Sequence, residues 1–116
     1  MRVLNDVLAN ATSGATDFNT AGISVEHIVY ATVQVVWTGT LTGVATVQAS
    51  CDDVASAADV TTWIDQSGKT AEPAGSAGSA MIHLTDMGYK WVRLKYVADG
   101  VPGAGTVTAR IHGKGA

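Results

Sequence analysis

From residue 30 onward, apolar side chains recur at every second position, and this period of two limits the fold more than any other feature. Within Tyr30–Trp37, Val33, Val35 and Trp37 share one face, while Thr32 and Gln34 share the other. Val44–Cys51 repeats the pattern, with Ala45, Val47, Ala49 and Cys51 against Thr46, Gln48 and Ser50. Ala80–Thr85 sets Ala80, Ile82 and Leu84 against Met81 and His83. In Tyr89–Val97, the longest run, Val92, Leu94 and Tyr96 oppose Trp91, Arg93 and Lys95. In Gly105–His112, Val107, Ala109 and Ile111 oppose Thr108, Arg110 and His112. A helix needs a period of 3.6, and no segment after residue 30 sustains one beyond two turns. Such alternation gives half-buried antiparallel strands, so the chain is expected to be all-β.

The connections refine this expectation. The six residues 38–43 between the first two strands have hairpin length, and the pair reads as a hairpin. Residues 52–60 form a loop rich in Asp, Ala and Ser, and Thr61–Gln66 is a short strand around Trp63. Ser67–Ser79 reads as a loop with Gly68, Pro73, Gly75 and Gly78, and a brief strand near Thr70. Turns follow at residues 86–88 and 98–104. The sum is an antiparallel β-sandwich of about eight strands, jelly-roll-like or immunoglobulin-like.

Residues 1–29 read differently. Val3, Leu4, Val7 and Leu8 recur at helical spacing before the stretch breaks at Ala11-Thr12-Ser13-Gly14. A helix this short needs something to pack on, either its own sandwich or a neighbour. Residues 16–19 suit a short edge strand, followed by a turn at 19–22. The expected organisation is an N-terminal arm and edge segment over 1–29 and a β-sandwich domain over 30–116.

Composition bounds the function. The 116 residues fit one domain, and 47% apolar content suffices for its core. No run approaches the ~18 apolar residues of a membrane span. Asn5, Asp6 and Asn10 interrupt any secretory apolar region. The single Cys51 allows no internal disulfide and no cysteine metal cage, and its phase predicts a buried thiol. Net charge is −3, which argues against nucleic acid as a partner. The charge is uneven: residues 1–89 carry two cations against nine acids, and residues 90–116 carry five cations against Asp99. The two parts can attract each other within or between subunits.

Chemistry-bearing constellations are sparse. His83 and His112 fall on polar strand faces with Arg93 and Arg110 nearby by parity, but no H-x-H or H-E-x-x-H spacing exists, and His27 stands apart. Asp52, Asp53, Asp59 and Asp65 lack the spacing of a calcium loop. No nucleophile elbow, phosphate loop or dinucleotide fingerprint is present. The expectation is therefore no enzyme, no cofactor and no metal. Trp91, opposite the core face, suits either sugar stacking or a subunit interface, and Trp63 could serve the former.

The stretches Val35-Val36-Trp37-Thr38-Gly39-Thr40, Val47-Gln48-Ala49-Ser50 and Trp63-Ile64-Asp65 resemble small β-sandwich structural proteins of tailed-phage particles. Leu84-Thr85-Asp86-Met87-Gly88-Tyr89 and the ending from Gly105-Thr106 to Gly113-Lys114-Gly115 extend the likeness over residues 30–115. Cys51-Asp52-Asp53 departs from the N-D-G turn of that pattern. The resemblance implies a virion protein, assembled in the bacterial cytoplasm, of the head decoration or cement type. Its expected partners are the major capsid protein or other virion proteins and its own copies. A trimer would suit a threefold site on a shell. Val3, Leu4, Val7 and Leu8 of the arm are the candidate contacts with a neighbour or the shell. Trp91, Arg93, Lys95 and Arg110 are the candidate subunit interface. The alternative is a carbohydrate-binding or host-adhesion module.

Overall fold

The computed structural model describes residues 1–85, 87–99 and 103–115. Asp86 of the turn expected at 86–88, and residues 100–102 of the loop expected at 98–104, lie outside the described residues.

Among the described residues, nine strands form two sheets. They are β1 (Val3–Ser13), β2 (Phe18–Asn19), β3 (Ile23–Ser24), β4 (Tyr30–Trp37), β5 (Gly43–Ser50), β6 (Ile64–Ala71), β7 (Gly78–Leu84), β8 (Trp91–Ala98) and β9 (Thr106–Lys114). One sheet has the order β1-β9-β4-β7; the other has β2-β8-β5-β6, with β3 also on β8. Every pairing is antiparallel. β2 and β3 lie in succession along β8, Phe18 opposite Tyr96 and Ile23 opposite Val92, so they act as one interrupted strand. Counted so, the orders are 1-8-3-6 and 2-7-4-5. This is the jelly roll, two interlocked Greek keys, and it decides between the two sandwich types expected.

The alternation read from sequence defines the core. Val33, Val35 and Trp37 of β4, with Val107, Ala109 and Ile111 beside them on β9, face Ala45, Val47 and Ala49 of β5 and Val92, Leu94 and Tyr96 of β8 across the sandwich; all are buried. Ile82 and Leu84 complete the layer. Each apolar side chain withdrawn from water contributes about 1.5–3 kcal/mol before the entropy of ordering is subtracted. Tyr96 is wholly buried, stacks on Phe18 at 5.2 Å between ring centres, and donates its hydroxyl to the Thr42 carbonyl. Burial pushes its pKa up, and Asp17 adds to the shift.

Four expectations are corrected. First, residues 3–8 are not helical. They belong to the edge strand β1, which pairs with β9 from Val3↔Lys114 to Ser13↔Thr106. Leu4 and Leu8 point into the core, while Val3 and Val7 point out. A spacing of four is even, so a strand satisfies it as well as a helix does. Asp6 hid the alternation: it shares the inward parity of Leu4 and Leu8, but on the outermost strand it remains exposed. Its Oδ1 accepts the Val7 N–H at 2.8 Å. An inward-phased charge on an edge discourages a further strand from adding there.

Second, β4 and β5 are no hairpin, because they lie in opposite sheets. The loop between them is an arch across one end of the sandwich. Leu41, at its centre, is wholly buried and plugs that end. It packs so closely on Gly14 that a Cβ there would come within 2.5 Å of it. Gly39 supplies the left-handed turn, φ +71°, that brings the arch against the Ala104 carbonyl. Thr38 N–H and Thr40 N–H donate to the carbonyls of Thr106 and Ala104 at 3.0 and 2.9 Å.

Third, the brief strand expected near Thr70 is the end of β6, and Ser67–Lys69 join it to the strand before them in place of a loop; the pairing of β6 to β5 slips between Thr46↔Thr70 and Gln48↔Asp65. The surplus residues bulge out around Gly68, φ +75°. Fourth, Cys51 is exposed, since β5 stops at Ser50 and inward parity stops with it.

Candidate functional site

The residues singled out from sequence fall on opposite outer faces of the sandwich. Val3, Val7 and Arg110 lie on the outer face of the β1-β9-β4-β7 sheet. Arg93 and Lys95 lie on the outer face of the other sheet, with Trp91. Leu4, Leu8 and Trp91 are buried within the chain and offer no surface to a partner.

On the first face, cross-strand register arranges the side chains in rows. One row runs Val3–Lys114–Tyr30, the next Asn5–His112–Thr32–His83, and the third Val7–Arg110–Gln34–Met81. Val3, Val7, Tyr30 and Met81 are 56, 40, 53 and 58% exposed, an unusual apolar display for strand residues that water surrounds. No side chain in these rows is acidic, and Arg110 and Lys114 make the face positive on a chain of net charge −3. Thr32 Oγ1 lies 3.1 Å from His83 Nδ1, so the histidine shares its ring with a hydroxyl. Among the described residues, no three His, Cys, Asp or Glu side chains converge as a metal site. His27 is on the β3–β4 connection, away from the pair. Tyr30 and Met81 were missed in sequence because Tyr30 was read only as the start of a strand and Met81 only as the polar-side partner of core residues.

The second face is partly roofed. The connection from β5 to β6 folds back over it, pinned at its neck by Asp52. The Asp52 Oδ2 accepts the N–H groups of Thr61 and Thr62 at 2.9 and 3.1 Å, and these bonds hold its pKa below the usual carboxylate value. Trp91 lies under this connection and donates its indole N–H to the Asp52 carbonyl at 3.1 Å. Parity placed Trp91 correctly on the outer side. Its burial comes from a loop that folds over that side, and the expected sugar platform at Trp91 is therefore covered. Lys90 meets Glu26 at 3.2 Å and Asp53 at 3.4 Å, which raises its pKa, Glu26 first. The charge asymmetry between the two parts of the chain is thus met within one subunit at this point.

Beside Trp91, a polar relay crosses three strands along one row. Asp65 Oδ1 accepts from Gln48 Nε2 at 2.8 Å, and Gln48 Oε1 accepts from Arg93 Nε at 2.8 Å. The guanidinium carbon sits 4.5 Å from the centre of the Trp63 ring, a cation–π contact. Partial burial lowers the Arg93 pKa, which leaves it charged at neutral pH.

No protein-family model matches the sequence, and no curated protein matches it. The fold is similar to that of the SPBc2 prophage-derived protein YomS. The crystal structure of YomS matches with a TM-score of 0.60 over 96% of this chain and 93% of that one, at 12% sequence identity. At that identity the likeness is one of fold.

Proposed function

We propose that this chain is a non-enzymatic structural protein of a tailed-phage particle, a head decoration subunit that docks through the outer face of the β1-β9-β4-β7 sheet. The observation that carries the reading is the face itself: Val3, Val7, Tyr30 and Met81 exposed among Arg110 and Lys114, with no acid in the rows. Exposed apolar side chains cost solubility, and they are kept where another surface covers them. The strand and turn motifs shared with phage β-sandwich proteins support the reading, as does the prophage origin of a protein of similar fold. The partners are the major capsid protein and other copies of this chain. A lattice of equivalent sites multiplies modest contacts, so a patch of this size suffices through avidity.

The test is the copy number of the chain in purified particles, measured by quantitative mass spectrometry. Hundreds of copies in fixed ratio to the shell protein are expected. A handful would place the chain at the tail or a vertex and favour adhesion, and absence would end the virion reading. Val7→Glu with Tyr30→Glu should leave the fold intact and remove the chain from the particle.

A further inference from the structure

The opposite face holds a cleft of about 450 Å³ that the proposed docking face does not use. It is lined by the small residues Gly22, Ser56 and Ala57 together with Trp63 and Arg93. Gly22 approaches the Trp63 ring so closely that a Cβ would fall within 2.8 Å of it, so the ring stays pressed over the guanidinium.

Arg93 is fixed before any ligand arrives. Gln48 holds its Nε, and Asp65 holds Gln48. Among the described residues, the two terminal nitrogens of Arg93 have no hydrogen-bond partner. Asp65 lies two strands away, with Gln48 between, so no carboxylate reaches the guanidinium directly. No acidic side chain lines the cleft. The geometry points to a carboxylate-binding site, in which the terminal nitrogens of Arg93 donate a paired set of hydrogen bonds to one planar carboxylate.

The class of ligand follows from charge and shape. One fixed cation matches one negative charge, and the guanidinium edge matches the two oxygens of a carboxylate. A phosphate dianion would call for a second cation in the cleft, and Lys95, next on the same face of β8, is not in its lining. Ser56 Oγ accepts the Ala58 N–H, which leaves its hydroxyl proton to donate. The carboxylate can belong to a free small acid or to an Asp or Glu side chain of a partner segment. A stacked, pre-held arginine loses little side-chain entropy on binding, and for that reason Arg and Trp dominate interface energetics.

The full chain, labelled with ¹⁵N, is titrated while the Trp63 indole N–H and the Arg93 Nε–H are followed by NMR. Sodium acetate is one probe. A short blocked peptide with a single glutamate is the other, with its glutamine version as control. Saturable shifts of both signals are expected, with a Kd for acetate on the order of 10 mM, and tighter binding for the glutamate peptide identifies a partner's side chain as the source. Arg93→Lys keeps the charge but loses the fork, and should bind at least about tenfold more weakly, the loss of one charge-assisted hydrogen bond. Unchanged core resonances establish that the variant is folded. Three results would each overturn the assignment: shifts matched by sodium chloride at equal ionic strength, wild-type binding by Arg93→Lys, or sodium phosphate saturating the site below acetate.

Discussion

Leu41→Ala separates an arch from a hairpin. In a hairpin, residue 41 would lie in a solvated loop, and its truncation would change stability by no more than about 0.5 kcal/mol. In the arch, Leu41 is wholly buried and closes one end of the core. Leucine-to-alanine changes at such sites cost about 2–5 kcal/mol, depending on how far the surroundings collapse into the void. Collapse is restricted here, because the side chain rests on backbone at Gly14 and Gly105. The Gly14 N–H and Gly105 carbonyl are tied to each other at 3.2 Å. A loss of about 3 kcal/mol follows, which for a domain of this size lowers Tm by about 10–15 °C. Urea denaturation gives the loss directly, with an unchanged m value showing that the unfolded states compare. Val44→Ala, at an exposed position of the next strand, is the control and should cost under about 1 kcal/mol. A Leu41→Ala midpoint within experimental scatter of wild type would refute the arch and its plug.

Three further outcomes are expected. Gly39→Ala must hold φ near +71° and bring a Cβ within 2.1 Å of the Ala104 carbonyl, so it should lose at least about 1–3 kcal/mol in the same urea assay. Asp52 has a native pKa below its unfolded value of 3.8, so its contribution is present above that value and disappears as pH falls through the native one. The gap in stability between wild type and Asp52→Asn, measured in urea, should therefore be full at neutral pH and shrink as pH falls below 3.8; a gap that widens in acid would contradict the assignment. Trp91→Phe removes the indole bond to the Asp52 carbonyl and should cost about 0.5–1.5 kcal/mol, with faster proteolysis of residues 52–62 as the second sign.

The sequence was most legible where parity alone decides. Val33 and Val35, Ile82 and Leu84, Val92 and Leu94, and Val107 and Ile111 are all core, because two sheets buried on one face impose that period. Parity is silent on which strand pairs with which. A six-residue loop fits a hairpin or an arch equally, and the discriminating signal was Leu41, an apolar residue stranded among threonines and glycines. Trp91 shows a different gap. Its side of the strand was readable, but its burial depends on a loop closed by the Asp52 bonds to Thr61 and Thr62, residues 9 and 10 positions away. The relay from Asp65 through Gln48 to Arg93 was equally hidden, since its members are 17 and 45 positions apart and only register brings them together. On the apolar face, Val3 and Val7 were noticed for the wrong periodicity, and Tyr30 and Met81 were not noticed as a group.

The pairing of β1 with β9 also fixes an order of events during synthesis. Of these nine strands β1 is made first, yet its neighbour in the sheet is β9, the last of them, with Val3 beside Lys114. The β4 strand waits for the same partner. Until β9 emerges, β4 has only β7 beside it, and β1 has no neighbouring strand on which to dock. Closure of this sheet is therefore governed by contacts between its first and last strands, and folding that depends on such distant contacts falls in the millisecond-to-second range.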